Sequence, residues 1–318
     1  MLYLTYDNDK HTDGAGAQLQ RIISIYLVCK FYKINYYHTG ILKLDYQGLE
    51  CLINNKENKS LLTIYNNLFL IDNIPNTETE IDFDYVFVKP VIHYEEIMHL
   101  RNAEKNILFK ITYADNLIIR NPEILLESPP SFNWINNKFN YLKIAVHIRR
   151  GELLVLDSQR MLPIDYYINI MTYLETLIQT KYKDIKYEFH IFSETVKEDL
   201  TVTPSHHGIL NRINSNIVVK SNENEFLKLK NFKNVIMHIN ENPVITLTEM
   251  INCNCIIASK SSFSYTSSII NKNALIIFPI FWHNLSSKWI SIYDQQNPTN
   301  DLKKCEVNII EKIKELIE

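Results

Sequence analysis

Glycine is scarce in this chain, with 6 in 318 residues. A sequence so poor in it spends glycine where the backbone turns sharply or passes close to something. Long apolar runs are missing too, so no transmembrane segment is expected. The N-terminal Met1–Asp7 has no basic stretch followed by an apolar one, which argues against a signal peptide and for a cytoplasmic protein. Cysteine is sparse and odd in number. Cys29, Cys51, Cys253, Cys255 and Cys305 are scattered, which excludes a disulfide framework. Cys253 and Cys255 run into apolar Ile256, Ile257 and Ala258, so they read as buried free thiols of a reducing compartment rather than metal ligands. An excess of one charge is also lacking. Lys and Arg total 33 against 36 Asp and Glu, a net charge of -3. Without a basic field, nucleic acid is not an expected partner, and any anion must be met by a local site. What remains is 46% hydrophobic and 22% charged, enough for a sizeable core in one large domain or two ordinary ones.

Along the chain, Leu2–Tyr6 reads as a strand, followed by a glycine loop at Gly14 and Gly16. A helix from Gln18 to Tyr32 then carries Leu19, Ile22, Ile23, Tyr26 and Leu27 on one face. Ile34–Tyr37, Leu68–Ile71 and Tyr85–Val88 read as strands, the last two buried, with Asn54–Ser60 a polar loop. Ser128-Pro129-Pro130-Ser131 is the strongest breaker, and the domain boundary is placed just after it. The second half alternates more cleanly. Strands are expected at Lys143–Ile148, Tyr187–Phe192, Val235–Ile239, Cys255–Ala258 and Ala274–Phe278. Helices are expected at Asp165–Thr180, Thr248–Asn252, Phe263–Ile270 and Lys303–Ile317. The pattern implies parallel sheets in an α/β fold. The expected division is residues 1–135, 136–300 and a terminal amphipathic helix at 301–318.

Ligands of open α/β sheets collect beyond the carboxyl ends of the strands. Three segments should meet there: His147-Ile148-Arg149-Arg150-Gly151-Glu152, Ser193-Glu194, and Ser259-Lys260-Ser261-Ser262-Phe263-Ser264. Adjacent arginines at a strand end supply fork-shaped donors suited to a diphosphate. On an extended segment they point to opposite faces, so one of the two reaches the ligand. Hydroxyls and free N–H groups at a helix start form a phosphate cradle, although helix capping is the commonest use of serine there. Together these features point to a nucleotide-sugar enzyme. Asp7-Asn8-Asp9 reads as a polar loop and not as a metal clamp.

At these residues the chain resembles the fucosyltransferase superfamily, most closely its α1,2 group. The HxRRGD motif appears as His147–Glu152, and the GxGNQ loop as Gly14-Ala15-Gly16-Ala17-Gln18. LDYY is similar to Ile164–Tyr167, and IFSDD to Ile191–Thr195. The IIANSSFSWW segment is similar to Ile256–Tyr265, and P-x-x-W to Pro279–Trp282. The order holds from Gly14 to Trp282. The departures are Glu152 for Asp, Ala17 for Asn, an extra Lys260, and no Asp upstream of the serine segment, where Glu249 lies nearest.

The resemblance implies a GT-B fold of two Rossmann-like domains. It implies inverting, metal-independent transfer of a deoxysugar, typically L-fucose from GDP-fucose, to a glycan hydroxyl, with no further cofactor. It assigns Arg149 to the donor β-phosphate and Ser261, Ser262 and Ser264 to the diphosphate. The wider expected donor set is Gly14, Gly16, Gln18, Arg150, Ser193, Glu249 and Phe263. Expected catalytic residues are Arg149, Glu152 and His147, with Asp13 and His11 weaker candidates for the base. Two rival readings stay open. One is a transferase using another donor, such as UDP- or dTDP-linked rhamnose; the other is a non-catalytic nucleotide- or glycan-binding protein of the same fold.

Overall fold

The computed structural model describes residues 1–9, 13–53, 58–69, 81–132, 141–156, 158–204 and 208–318. His11, residues 54–57 of the expected polar loop and residues 70–71 of an expected strand lie outside them. Contacts divide the chain into two compact units: Met1–Asp45, Lys59–Asn133 and Asn284–Ser287 in the first, and Tyr46–Asn58, Trp134–His283 and Lys288–Glu318 in the second.

In chain order the first unit contains β1 (Leu2–Tyr6), α1 (Ala15–Tyr32) and β2 (Asn35–Tyr36). The segment that belongs to the second unit then supplies α2 (Leu49–Ile53). The first unit resumes with α3 (Lys59–Leu68), β3 (Tyr85–Val91), α4 (Tyr94–Leu100), β4 (Ile107–Tyr113) and α5 (Asp115–Arg120). Its sheet runs β2-β1-β4-β3, all parallel. β1 is buried along its whole length, as an apolar run at the sheet centre must be. α1 begins earlier than its apolar face suggested, so Gly16 lies within the helix and Gly14 caps it. Leu68 is the last residue of a helix, not the first of a strand. The expected burial of Tyr85–Val88 is also overturned. β3 is the sheet edge, and Tyr85, Val86, Phe87 and Val88 are all exposed. Apolar, β-prone side chains suit a central or an edge strand alike.

The second unit continues with β5 (Leu142–Ile148), α6 (Ile164–Lys181), β6 (Tyr187–Ser193), β7 (Leu200–Val202), β8 (Ile217–Val219) and β9 (Val235–Ile239). It then has α7 (Pro243–Ile251), β10 (Cys255–Ile257), α8 (Ser262–Ile270), β11 (Leu275–Pro279), β12 (Ile290–Ile292), α9 (Pro298–Lys304) and α10 (Glu306–Ile317). The single terminal helix expected from the sequence is two helices that meet at Cys305. The main sheet runs β12-β11-β10-β5-β6-β9, all parallel, and β7 and β8 form a small antiparallel pair. This is the α/β fold read from the alternation.

Side chains on β5 alternate between two layers. Leu142, Ile144, Val146 and Ile148 enter a core shared with Ile170, Met171 and Leu174 of α6, Leu302 of α9, and Ile309 and Ile313 of α10. Lys143 and His147 face the other way, to Glu249 of α7 and Ser264 of α8. Burial pushes the Cys253 thiol up to about 12, so it stays protonated in the core.

Candidate functional site

The chain leaves β5 for β6 and β9 on one side, then returns to lay β10 against β5 on the other. Strand order therefore reverses between β5 and β10, and the crevice outside their carboxyl ends is the ligand position of such sheets. The two segments rich in chemistry, Arg149–Glu152 and Ser259–Ser262, follow these two strands directly. Their loops are tied together: the Arg149 N–H donates to Ser259 Oγ at 3.3 Å, and the Tyr167 hydroxyl donates to the same oxygen at 2.9 Å.

The arginines diverge, as alternation requires. Arg150 turns to the α6 layer and is 3% exposed. Its guanidinium donates to Glu225 Oε2 at 2.8 Å, to the Arg149 carbonyl at 2.9 Å and to the Leu162 carbonyl at 3.2 Å. The Arg150 guanidinium is thus committed to contacts within the fold. Arg149 stays at the crevice, with a side chain 17% exposed. It pairs with Glu152 and lies 5.8 Å from the Tyr46 ring centroid.

Glu152 offers Arg149 its Oε1, while its Oε2 is buried without a hydrogen-bond partner. A carboxylate committed to a guanidinium orients that group more readily than it accepts a substrate proton. Gly151 has a left-handed φ of +48°, and a Cβ there would lie 2.1 Å from Glu194 Oε2 and 2.6 Å from the Tyr46 hydroxyl. The φ strains any other residue there, and an added Cβ would have to push the Glu194 carboxylate aside. Glu194 accepts from the Tyr46 hydroxyl at 2.7 Å and from the Leu49 N–H at 2.6 Å. It thereby fastens α2 to the loop edge, where Leu49 and Leu52 pack with Val155, Val196 and Val202. Nothing near Tyr46 in the sequence marked this segment as part of the second unit.

α8 opens the serine side. Ser261 is its N-cap, its Oγ accepting from the Phe263 N–H at 3.1 Å. The other first-turn N–H groups add the positive end of the helix dipole. Ser262 Oγ lies 3.1 Å from His283 Nε2. Ser264 is fully buried, accepting from the Ser259 N–H at 3.2 Å and meeting His147 Nδ1. His147 is buried against the Phe263 ring at 5.5 Å. Burial, with Arg149 nearby, pushes its pKa down to about 3, so it is a neutral packing and positioning residue and not a titrating base. Ser193 is likewise spent inside the fold, donating to the Ile148 carbonyl at 2.7 Å.

Two further expected residues lie away from the crevice. Glu249 pairs with Lys143, which sits at the amino end of β5. That is roughly 16 Å along the strand from the crevice, too far to read a base there. Gln18 of the glycine loop is 1% exposed, and its amide nitrogen donates to the carbonyls of Asp13 at 2.9 Å and Lys43 at 2.7 Å. Gly14 has a φ of -66°, ordinary for any residue. This loop is a helix start braced from within the first unit, and Asp13 pairs with Arg21 at 3.0 Å.

Arg160 and His283 carried no signal in the sequence. Arg160 lies 4.4 Å from the Trp282 ring centroid, and Lys260 lies 5.8 Å from the Phe281 ring. Both cations stand at the carboxyl rim beyond β10 and β11, and Trp282 is exposed. No protein-family model, curated protein or solved structure matches the chain.

Proposed function

We propose that the protein is a GT-B glycosyltransferase that moves a deoxysugar, L-fucose from GDP-fucose, to a glycan hydroxyl with inversion. The observation that carries this reading is Arg149, the crevice-side arginine of the pair. It stands beside the α8 start at the reversal of strand order. In the reaction, the acceptor oxygen bonds to the sugar anomeric carbon as the bond to the β-phosphate oxygen breaks. The electron pair leaves with the diphosphate, and the hydroxyl proton passes to a base. Charge growing on the β-phosphate is met by the Arg149 fork and by the first-turn N–H groups and hydroxyls at Ser261 and Ser262. Glu152 holds the guanidinium ready, and the donor displaces or shares that contact. Arg149 and the helix dipole supply the positive charge that a metal supplies in other transferases.

The geometry supports a diphosphate, while fucose and guanine rest on the resemblance. With Glu249 at the far end of the sheet, base recognition falls to other groups on the carboxyl rim. Thermal shift against GDP, UDP, dTDP and GDP-fucose tests the reading. GDP and GDP-fucose should raise the melting temperature most. A larger shift with UDP or dTDP would favour the rhamnose-type rival. Binding of GDP-fucose without its hydrolysis or transfer would favour the non-catalytic one.

A further inference from the structure

An aromatic and cationic patch stands beside the start of α8 on the carboxyl rim of the second unit. The sheet order β11-β10-β5 sets three connections side by side. Arg160 comes from the one after β5, Lys260 from the one after β10, and Phe281, Trp282 and His283 from the one after β11. Their side chains touch. Ser262, in the first turn of α8, meets His283 Nε2 at 3.1 Å. Lys260 Nζ stands 5.8 Å from the Phe281 ring centroid, and the Phe281 and Trp282 centroids are 3.6 Å apart. The Arg160 guanidinium lies 4.4 Å from the Trp282 centroid and 5.4 Å from that of Phe281.

The patch is anchored on its inner side and open on its outer side. His283 is buried, stacked on the Tyr265 ring of α8 at 4.4 Å and edge-on to Phe278 of β11 at 6.0 Å. These contacts fix the loop to the helix whose first turn offers N–H groups and hydroxyls. The adjacent Trp282 is 59% exposed. A large ring held at the surface by a braced loop, with two cations at hand, has the makings of a stacking surface for a flat ligand.

We propose that Trp282 stacks against the nucleobase of the donor, and that Arg160 and Lys260 donate to acceptors on the edge of that base. The inference rests on the glycosyl-transfer reading and names the residues that take the part of the donor left over by Arg149 and α8. Order along the rim matches order along the ligand: Arg149 after β5, the α8 start after β10, Trp282 after β11, against β-phosphate, α-phosphate and nucleoside. Arg149 and Trp282 follow strands with β10 between them, so their loops start two strand spacings apart, about 9.5 Å. A nucleoside diphosphate spans such a gap between its terminal phosphate and its base. Stacking accepts any base, because every base has a π-face. The edge groups choose. Arginine and lysine only donate, and guanine presents two acceptors side by side, O6 and N7, where adenine presents one acceptor and a donor.

Calorimetric titration of GDP, ADP and pyrophosphate into the full chain tests this. Trp282→Leu should bind GDP at least about tenfold more weakly than the parent and pyrophosphate equally well, with Trp282→Phe recovering most of the GDP affinity. Arg149→Ala should weaken GDP and pyrophosphate alike. The parent should prefer GDP to ADP, and Lys260→Ala should narrow that preference. The proposal is overturned if Trp282→Leu binds GDP as the parent does, which would leave Arg160 and Trp282 as loop packing only. It is also overturned if Trp282→Leu loses pyrophosphate along with GDP, or if the parent binds ADP as tightly as GDP. If the nucleotides follow the expected pattern but GDP-fucose is neither hydrolysed nor used for transfer, the transferase reading falls and the base site stands. If GDP-fucose is turned over with the same KM by the parent and Trp282→Leu, the base site falls and the transferase reading stands.

Discussion

Two adjacent arginines point apart because consecutive side chains leave an extended segment on opposite faces. Arg150 satisfies two backbone carbonyls and Glu225 from a buried position. Arg150→Met should lower stability by about 3 kcal/mol in urea unfolding, since it strands buried acceptors and a carboxylate. It should leave nucleotide affinity of the folded fraction near that of the parent. Arg149→Ala and Arg149→Lys should cut turnover of the folded fraction about 100–1000-fold in a donor-hydrolysis assay. Gly151→Ala should cost about 2 kcal/mol or more, because the added Cβ meets Glu194 in a backbone conformation that alanine resists. A parent-like unfolding midpoint would contradict that. The divergence of the arginines was legible from alternation alone. The reason for Gly151 was not, because its close neighbours, Glu194 and Tyr46, come from distant parts of the chain.

The strand-loop-helix units after β5 and β10 carry the site, and their adjacency is a matter of strand order that no local pattern encodes. The apolar periods of α6, β5, β6 and β11 were readable because each element buries a regular face. The end at which Glu249 sits was not. Closeness in sequence to the serine segment concealed that α7 runs back toward the amino end of β10. His147 on β5 adds a pH signature. Its folded pKa, pushed to about 3, lies below the ordinary unfolded value of about 6.5, so the unfolded chain binds the proton first. The stability tied to its neutral form is present above about pH 6.5 and drains as pH falls toward 3, by up to about 1.4 kcal/mol per unit. His283, pushed down to about 3 by burial and then by Arg160, acts in the same direction. Unfolding free energy should therefore fall between about pH 7 and pH 5, and His147→Gln should flatten part of that slope. A slope unchanged in the variant would remove His147 from the account.

At the scale of the whole molecule, two parallel-sheet units each present a strand-order reversal, and the proposed donor chemistry lies in the second. The second unit has a guanidinium, a helix start and hydroxyls for a diphosphate. Among the described residues, no three His, Cys, Asp or Glu side chains are grouped to hold a metal ion. With positive charge supplied by Arg149 and α8, turnover should survive EDTA. Loss on chelation with recovery in manganese or magnesium would show that the arginine does not carry that role. The central claim is that Arg149 receives a nucleoside diphosphate, and calorimetric titration of GDP into the parent and into Arg149→Ala tests it most directly. The account predicts binding in the parent and at least about tenfold weaker binding in the variant, the loss of one charge-assisted pair. Equal affinity in the two proteins, or no GDP binding to the parent, would contradict it.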